Sequence, residues 1–528
     1  MTASSATKPR VIITTDLEVD DMNSLIHLAL YLNILDVEAI VTTASQYHFL
    51  GDGEHTLGEV TPHWRTKGRR AYEWEVVPHE PDPEAGSLMS YRPFPRTWIQ
   101  GLWTHEYAHA WPTLNANAIA AGEPGFPTPG ELIARTYEGN VAFEGDVLAD
   151  TPGSDVIKQA ILDDDPRTLW LLSWGGMNTI VRALISIAEE WQATPAWDGL
   201  RERIYAKVRV LGVRSGVGQD NSWLDHGREL FPGLRMLCAP FAYGGYVDAV
   251  AAQPDSIELF RAPWPEEHLT RGNGPLMARY MLYGDGKVYE NEPERFQFGK
   301  RARLDWGLAG MDPIRFTPGD FMAEGDSMTY IPLLPFGLRG AAEDGFDTPL
   351  GPLFADSVEP LDEQATFASL GKPAAAGENP NPYLRAYQED FAARAAWCAH
   401  RPEACNHAPQ VVEAPADRTV APGEVVELAT EVRDPDGDAL SCRWWVDRLV
   451  SCYAGNADVW GWEAANELPG AAASVAEGAP ATTTGRSTAT FPVPEDAQPG
   501  DRFVVTLTVQ DQAARPMTRY AAIALTVH

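Results

Sequence analysis

The chain has 528 residues, with 41 Lys and Arg against 74 Asp and Glu for a net charge of −33, a balance that repels a phosphate backbone and excludes nucleic acid as a partner. No run approaches the ~20 apolar residues of a bilayer span, so no membrane partner is expected. With 44% hydrophobic and 22% charged residues the composition is that of a globular protein, long enough for about two to four domains.

The opening MTASSATKPR lacks the apolar core of a signal peptide, as in a mature or recombinant start, or in a cytosolic protein. VIITT at 11–15 then reads as a buried strand, SLIHLALYL at 24–32 as a helix and VEAIVTT at 37–43 as a second strand, together one βαβ unit. Residues 51–130, rich in Trp, His, Pro and Gly, read as long loops and short helices over one face. TLWLLSW (168–174), AKVRVLGV (206–213) and GLRMLCA (233–239) continue the strand series, and NTIVRALISIAEEW (178–191) has apolar residues at helical spacing. These elements predict an open, mostly parallel α/β sheet flanked by helices, with ligand chemistry at the carboxyl ends of its strands.

GKPAAAGENPNP near residue 371 reads as a linker and YLRAYQEDFAARAAW as a helix. From Asn406 the pattern alternates: VVELATEV, ALSCRWWV, STATFPV and FVVTLTV, spaced by turns, predict an all-β sandwich of about 100 residues. Four of the five cysteines form the close pairs Cys398/Cys405 and Cys442/Cys452. Such pairs suit disulfides in a secreted or periplasmic protein, free thiols and a cytoplasmic location being the other reading.

Four acids crowd the end of the first strand: Asp16, Glu18, Asp20 and Asp21 in TTDLEVDD. Two carboxylates about 5 Å apart repel by roughly 3 kcal/mol at an effective dielectric of ~20, so something positive should offset them. If the helix begins near Ser24, Asp16, Asp20 and Asp21 lie in the loop leaving the sheet. Carboxylates without nearby Cys suit a hard cation, Ca²⁺ before Zn²⁺. An EF-hand is excluded, because its sixth and twelfth positions fall on Asp21 and His27. Helix-dipole complementation is the plainer explanation for any one of these acids.

The spacing D-x-x-x-D-D after a strand resembles the N-terminal motif of the inosine–uridine nucleoside hydrolases. More closely, TTDLEVDD with SLIHLALYLN, SWGGMNT (173–179), GQDNSW (218–223) and MAEGDSMTYIPLLPFGLRG (322–340) resemble the nucleoside hydrolase-like domain of a family of cellulose-binding proteins. NHAP and DPDGDALSCRWW fit the Ig-like domain that follows in that family. The resemblance implies a nucleoside hydrolase-like domain over 8–400 and an Ig-like sandwich over 406–528. It implies Asp16 as calcium ligand and general base, Asp21 and Asp326 as further ligands, and Asn178 of the GGMNT turn as a ligand through its main-chain carbonyl. Asp20 would contact sugar hydroxyls.

The chain departs from the hydrolases where it bears on substrate. Gly325 precedes Asp326 where they have the base-protonating His, and Thr14 replaces the first Asp of their D-x-D. The expectation is therefore a calcium-dependent hydrolase of a furanosyl bond in a glycan or glycoside, with a carboxylic acid to help the leaving group. Glu324 is placed first in that role, with Glu18 and Asp220 as alternatives. A nucleoside N-ribohydrolase and a non-catalytic carbohydrate-binding protein are the competing readings. The hydrolases are often oligomeric, so the resemblance extends to self-association.

Other residues carry weaker signals. His48 falls where the second strand should end and would wall the pocket, and Asp220 and Asn221 of GQDNSW would contact substrate or shape a turn. His105 and His109, four apart, read as packing, as do Trp98, Trp103 and Trp111. Asp434, Asp436 and Asp438 of DPDGD read as a tight turn before a structural Ca²⁺ site. Trp444, Trp445, Trp460 and Trp462 read as buried strand residues before a carbohydrate platform.

Overall fold

The computed structural model describes residues 8–45, 49–50, 95–143, 145–212, 220, 222–238, 256–287, 317–321, 324–339, 355–356, 383–448, 450–471 and 482–528. Its first part is a sheet of seven strands: β1 (Arg10–Thr15), β2 (Asp36–Thr42), β3 (Thr136–Glu138), β4 (Leu169–Ser173), β5 (Val208–Gly212), β6 (Arg235–Cys238) and β7 (Ala355–Asp356). The spatial order is β3-β2-β1-β4-β5-β6-β7, parallel except between β6 and β7. The chain runs outward in one direction from β1 to β3 and in the other from β4 onward. The gap between the ends of β1 and β4 is thus the switch point, where an open α/β sheet leaves room for a ligand.

Alternation along the strands builds two cores. Val11 and Ile13 of β1 join Leu172 in a cluster with helix α1 (Val19–Leu28), α2 (Ala108–Ala120) and α6 (Leu384–Trp397). Ile12, Leu169 and Leu171 join the opposite cluster with α3 (Pro152–Leu162) and α4 (Asn178–Trp191). With both faces covered, all six residues of β1 are buried, and the strand reads as a continuous apolar run ending in threonines.

Two expectations change here. Helix α1 starts at Val19, five residues earlier than the apolar run suggested, so Asp20 and Asp21 occupy its first turn rather than a loop. Where described, the segment expected as long loops and short helices is mostly helix: Pro95–Leu102, Trp103–Tyr107 and α2 follow one another directly, burying Trp98 and Trp103. His105 and His109 are exposed on that run instead of packed in the core.

The C-terminal part is strand-rich: β8 (Gln410–Val411), β9 (Arg418–Val420), β10 (Val425–Asp434), β11 (Leu440–Val446), β12 (Glu463–Leu468), β13 (Thr483–Pro492), β14 (Arg502–Asp511) and β15 (Thr518–Val527). They form sheets β13-β10-β8 and β12-β11-β14-β15-β9, antiparallel apart from the β15–β9 pair. Strand β10 alternates buried and exposed residues, as a sheet with one wet face does. Trp444 is buried in this core and donates from Nε1 to Ser487 Oγ at 2.9 Å.

Cys398, Cys405, Cys442 and Cys452 are free thiols. Cys442 is buried in the sandwich core while Cys452 is exposed beyond the end of β11, so ten residues of separation do not bring the sulfurs together.

Strand β15 is buried on both faces. Ala521, Ile523 and Leu525 enter the sandwich core, and Tyr520 joins the cluster around α1 and α6. Tyr520 N donates to Phe336 O at 2.8 Å. Next to it Gly337, at φ +92°, approaches so closely that a Cβ there would lie 1.8 Å from Tyr520 O. Glycine alone fits that crossing.

Candidate functional site

The site is built at the end of β1. Pairing of β1 with β2 and β4 delivers Asp16 to the switch point, fully buried. Leu17, which follows, sits in the left-handed region at φ 57°, a conformation that costs a non-glycine residue on the order of 1 kcal/mol. Its N–H donates to Thr15 Oγ1 at 3.0 Å, and the Thr15 hydroxyl itself donates to Asp21 Oδ1. This tight reversal turns the chain straight into α1, whose first turn carries Asp20 and Asp21.

Asp326 comes from far along the chain. It precedes the short helix α5 (Ser327–Tyr330), and Thr329 N donates to its carbonyl at 3.0 Å. Trp174, just past β4, donates from Nε1 to Thr329 Oγ1 at 2.8 Å and pins that turn to the sheet.

Asp16, Glu18 and Asp21 each offer a carboxylate oxygen within 4.8 Å of the others, as do Asp20, Asp21 and Asp326. Both groups share Asp21 and contain only carboxylates. Burial above all, then the charges of Glu18 and Asp20, pushes the Asp16 carboxyl well above the usual range. For Asp21 the causes are burial, then Asp326 and Asp16; for Asp326, burial, then Asp20 and Asp16. Both oxygens of Asp16 and Oδ2 of Asp21 and of Asp326 are buried without a hydrogen-bond partner, although the Ser45 hydroxyl is near enough to Asp16 to ease its charge. Buried anionic oxygens demand a cation or a proton. An all-oxygen set fits a hard divalent ion.

Glycines make room for these acids. A Cβ on Gly175 would lie 2.7 Å from Asp16 Cγ, and one on Gly325 would lie 2.4 Å from Asp20 Oδ2. In SWGGMNT and in MAEGD alike, the glycine is where backbone passes against a carboxylate.

Other expected site residues lie elsewhere. Glu324 is fully buried behind α1: Oε2 faces His27 Nδ1 at 2.7 Å and accepts from Ser327 Oγ at 2.6 Å, and Oε1 accepts from the Tyr280 hydroxyl. With both oxygens engaged it fixes the Asp326 turn against α1 and is not poised to protonate a leaving group.

Asp220 is also fully buried, accepting from the N–H groups of Asn178 at 3.0 Å and Ser222 at 2.9 Å. It caps the N-terminus of α4 instead of facing a substrate, and burial raises it to about 6 despite those hydrogen bonds. The Asn178 side chain is a brace: Oδ1 accepts from Thr43 Oγ1, and Nδ2 donates to Asn140 O at 2.7 Å. His48 and Asn221 lie outside the described residues.

Sequence reasoning passed over His27, Tyr280 and Ser327. His27 stacks on Phe391 with ring centroids 3.6 Å apart. Its signal was available: a histidine inside the apolar run LIHLALYL, seven positions after Asp20 and hence on the same face.

A solved structure of a nucleoside hydrolase-related protein from Saccharophagus degradans, described as associated with carbohydrate metabolism, covers 99% of this chain and 100% of its own. The TM-score is 0.59 at 20% identity, so the fold is nucleoside hydrolase-like, with the strand-rich C-terminal part included. A plant nucleoside hydrolase matches 39% of this chain and 47% of its own at 14% identity, with a TM-score of 0.17 that carries no argument. No curated protein matches the chain. The chain belongs to the family described as cellulose-binding Sde182, nucleoside hydrolase-like domain, whose model matches residues 10–347. A second model, cellulose-binding protein Sde0182, C-terminal domain, matches residues 425–527.

Proposed function

We propose that the chain is a Ca²⁺-dependent glycoside hydrolase acting on a furanosyl bond of a glycan. The observation that carries this is the group of buried, partnerless carboxylate oxygens of Asp16, Asp21 and Asp326 at the switch point of the sheet. Bound Ca²⁺ would supply the missing positive charge and acidify a water at the site. Asp16, on a rigid strand end, takes a proton from the attacking water at a carboxylate oxygen. Half-buried Asp20 holds sugar hydroxyls at the rim. Of the three acids considered for the leaving group, Glu324 and Asp220 are engaged elsewhere. Glu18 groups with Asp16 and Asp21 and would be a further ligand of the ion.

The family's cellulose-binding description and the carbohydrate association of the Saccharophagus protein support a carbohydrate ligand. They equally favour a second reading, sugar binding without turnover. Assays of wild type and Asp16→Asn on aryl furanosides, ribonucleosides and cellulose separate the readings. Furanoside hydrolysis in Ca²⁺ is expected, falling about 10²- to 10⁴-fold in Asp16→Asn. Unchanged activity in that variant sinks the catalytic role, faster turnover of nucleosides favours an N-ribohydrolase, and cellulose retention with no turnover favours the binding protein.

Gly175→Ala checks the ion separately from the chemistry. The added methyl displaces the Asp16 carboxylate, so Ca²⁺ affinity measured by calorimetry should drop about 10- to 100-fold. An unchanged affinity removes Asp16 from the ion's ligands.

A further inference from the structure

We propose that the DPDGD loop between β10 and β11 is a second, structural Ca²⁺ site, held by Asp434, Asp436 and Asp438. The three carboxylates each offer an oxygen within 4.8 Å of the others, and the group lies in the C-terminal sandwich, apart from the acids at the end of β1.

Turn formation accounts for only part of what is seen. Asp434 is fully buried, and its Oδ1 accepts from the N–H groups of Asp436 at 3.0 Å and Asp438 at 2.9 Å, which closes the turn. Its Oδ2 is equally buried and has no hydrogen-bond partner. Among the described residues no lysine or arginine pairs with Asp434 or Asp438; the one positive candidate is His407, which reaches Asp436 alone, with Nδ1 at 2.8 and 3.0 Å from its two oxygens.

A second lone oxygen lies on the neighbouring segment. Asn406 uses Nδ2 to donate to Asp511 Oδ2 at 3.0 Å and Arg515 O at 2.8 Å, which fixes the amide's orientation, and its Oδ1 is left buried without a partner. The next residue docks on the loop, His407 N donating to Asp436 Oδ2 at 2.7 Å.

The donors are all oxygens on a short flexible loop, the arrangement that Ca²⁺ accepts with six to eight ligands, water completing the shell. His407 holds the Asp436 carboxylate from outside, as the outer partner of a ligand does. The ion would tie the sandwich to the segment that enters it from α6.

Asp434→Asn keeps the oxygen that closes the turn and replaces the lone Oδ2 by an amide; Asp438→Asn removes a charge without touching the turn. Calcium stoichiometry of the full chain, by calorimetry and by metal analysis after gel filtration, is the readout. Each variant is expected to bind one ion fewer than wild type, and Asp21→Asn to lose a different one, so that Asp21→Asn combined with Asp438→Asn binds none. Wild-type stoichiometry in Asp438→Asn overturns the proposal, whether or not Asp434→Asn folds. If a single ion binds and survives Asp21→Asn but not Asp438→Asn, this site stands and the ion proposed for the β1 acids fails.

Discussion

Adding Ca²⁺ to the chelated protein is expected to raise its melting temperature, and by more at about pH 8 than at about pH 5. Burial and mutual repulsion lift Asp16, Asp21 and Asp326 well above the ordinary carboxylate range. Below the pKa of an unfolded aspartate, near 4, folded and unfolded chains both hold these protons and the site costs little. As pH rises, the unfolded chain gives up its protons while the folded one retains them. Stability of the ion-free protein therefore falls until pH has passed the raised values.

Calcium removes that loss, because the cation takes the place of the protons and releases them on binding. At an ion concentration ~1,000 times the dissociation constant the gain is about 4 kcal/mol. In Asp21→Asn the pH-dependent part of the effect should shrink, since Asp21 belongs to both acid groups. A melting temperature indifferent to calcium and EDTA at the higher pH would remove the ion from the site.

Asp390→Ala should be among the most damaging single changes in the chain. Asp390 is fully buried on α6, and its two oxygens collect three donors: Arg394 Nε at 3.0 Å, Arg519 Nη1 at 2.7 Å and the Tyr31 hydroxyl at 2.9 Å. Burial opposes its charge, yet the guanidiniums of Arg519 and Arg394 win and hold it below the usual range. Arg394 is itself fully buried and also reaches Glu123 at 2.6 Å. Removing the carboxylate leaves two arginine charges in a place where water does not replace their partner. Breaking a buried pair in this way costs about 3–5 kcal/mol. Denaturant unfolding measures it, and a loss below ~1 kcal/mol would show that water or Glu123 takes over the role. Asp390→Asn should cost less, because its amide oxygen still accepts one guanidinium bond.

What was legible in the sequence follows from how local each signal is. VIITT, LWLLS and VRVLG announce strands because burial on both faces makes them mostly apolar, Arg209 being the one charged residue among them. The helix Asn178–Trp191 was readable to the residue, because GGMN breaks the strand before it and its apolar stripe has helical spacing. The start of α1 was misread because its first turn carries the acids, which look like loop when only apolar periodicity is counted. For the site, Asp16, Asp21 and Asp326 were reachable through motifs. The fates of Glu324 and Asp220 were not, since whether a carboxylate faces a cavity or a helix end is decided by groups tens to hundreds of positions away. His27 and Tyr280 supply that information for Glu324, as the amides of α4 do for Asp220. The spacing of the cysteines left disulfides and free thiols both open, and in the fold Cys442 is buried on β11 while Cys452 is exposed beyond its end.

The burial of β15 on both faces sets a limit on how this protein can be divided. A gene fragment ending after α6 would translate Asp390 without Arg519 and the Phe336 carbonyl without Tyr520, and would leave an apolar wall open to solvent. The sandwich expressed alone would bare the other side of the same wall. Cloning boundaries drawn where the composition changes would give two pieces that aggregate, and a shuffled sandwich from a distant relative would have to bring its own match to α6. The two halves depend on each other because they share a strand.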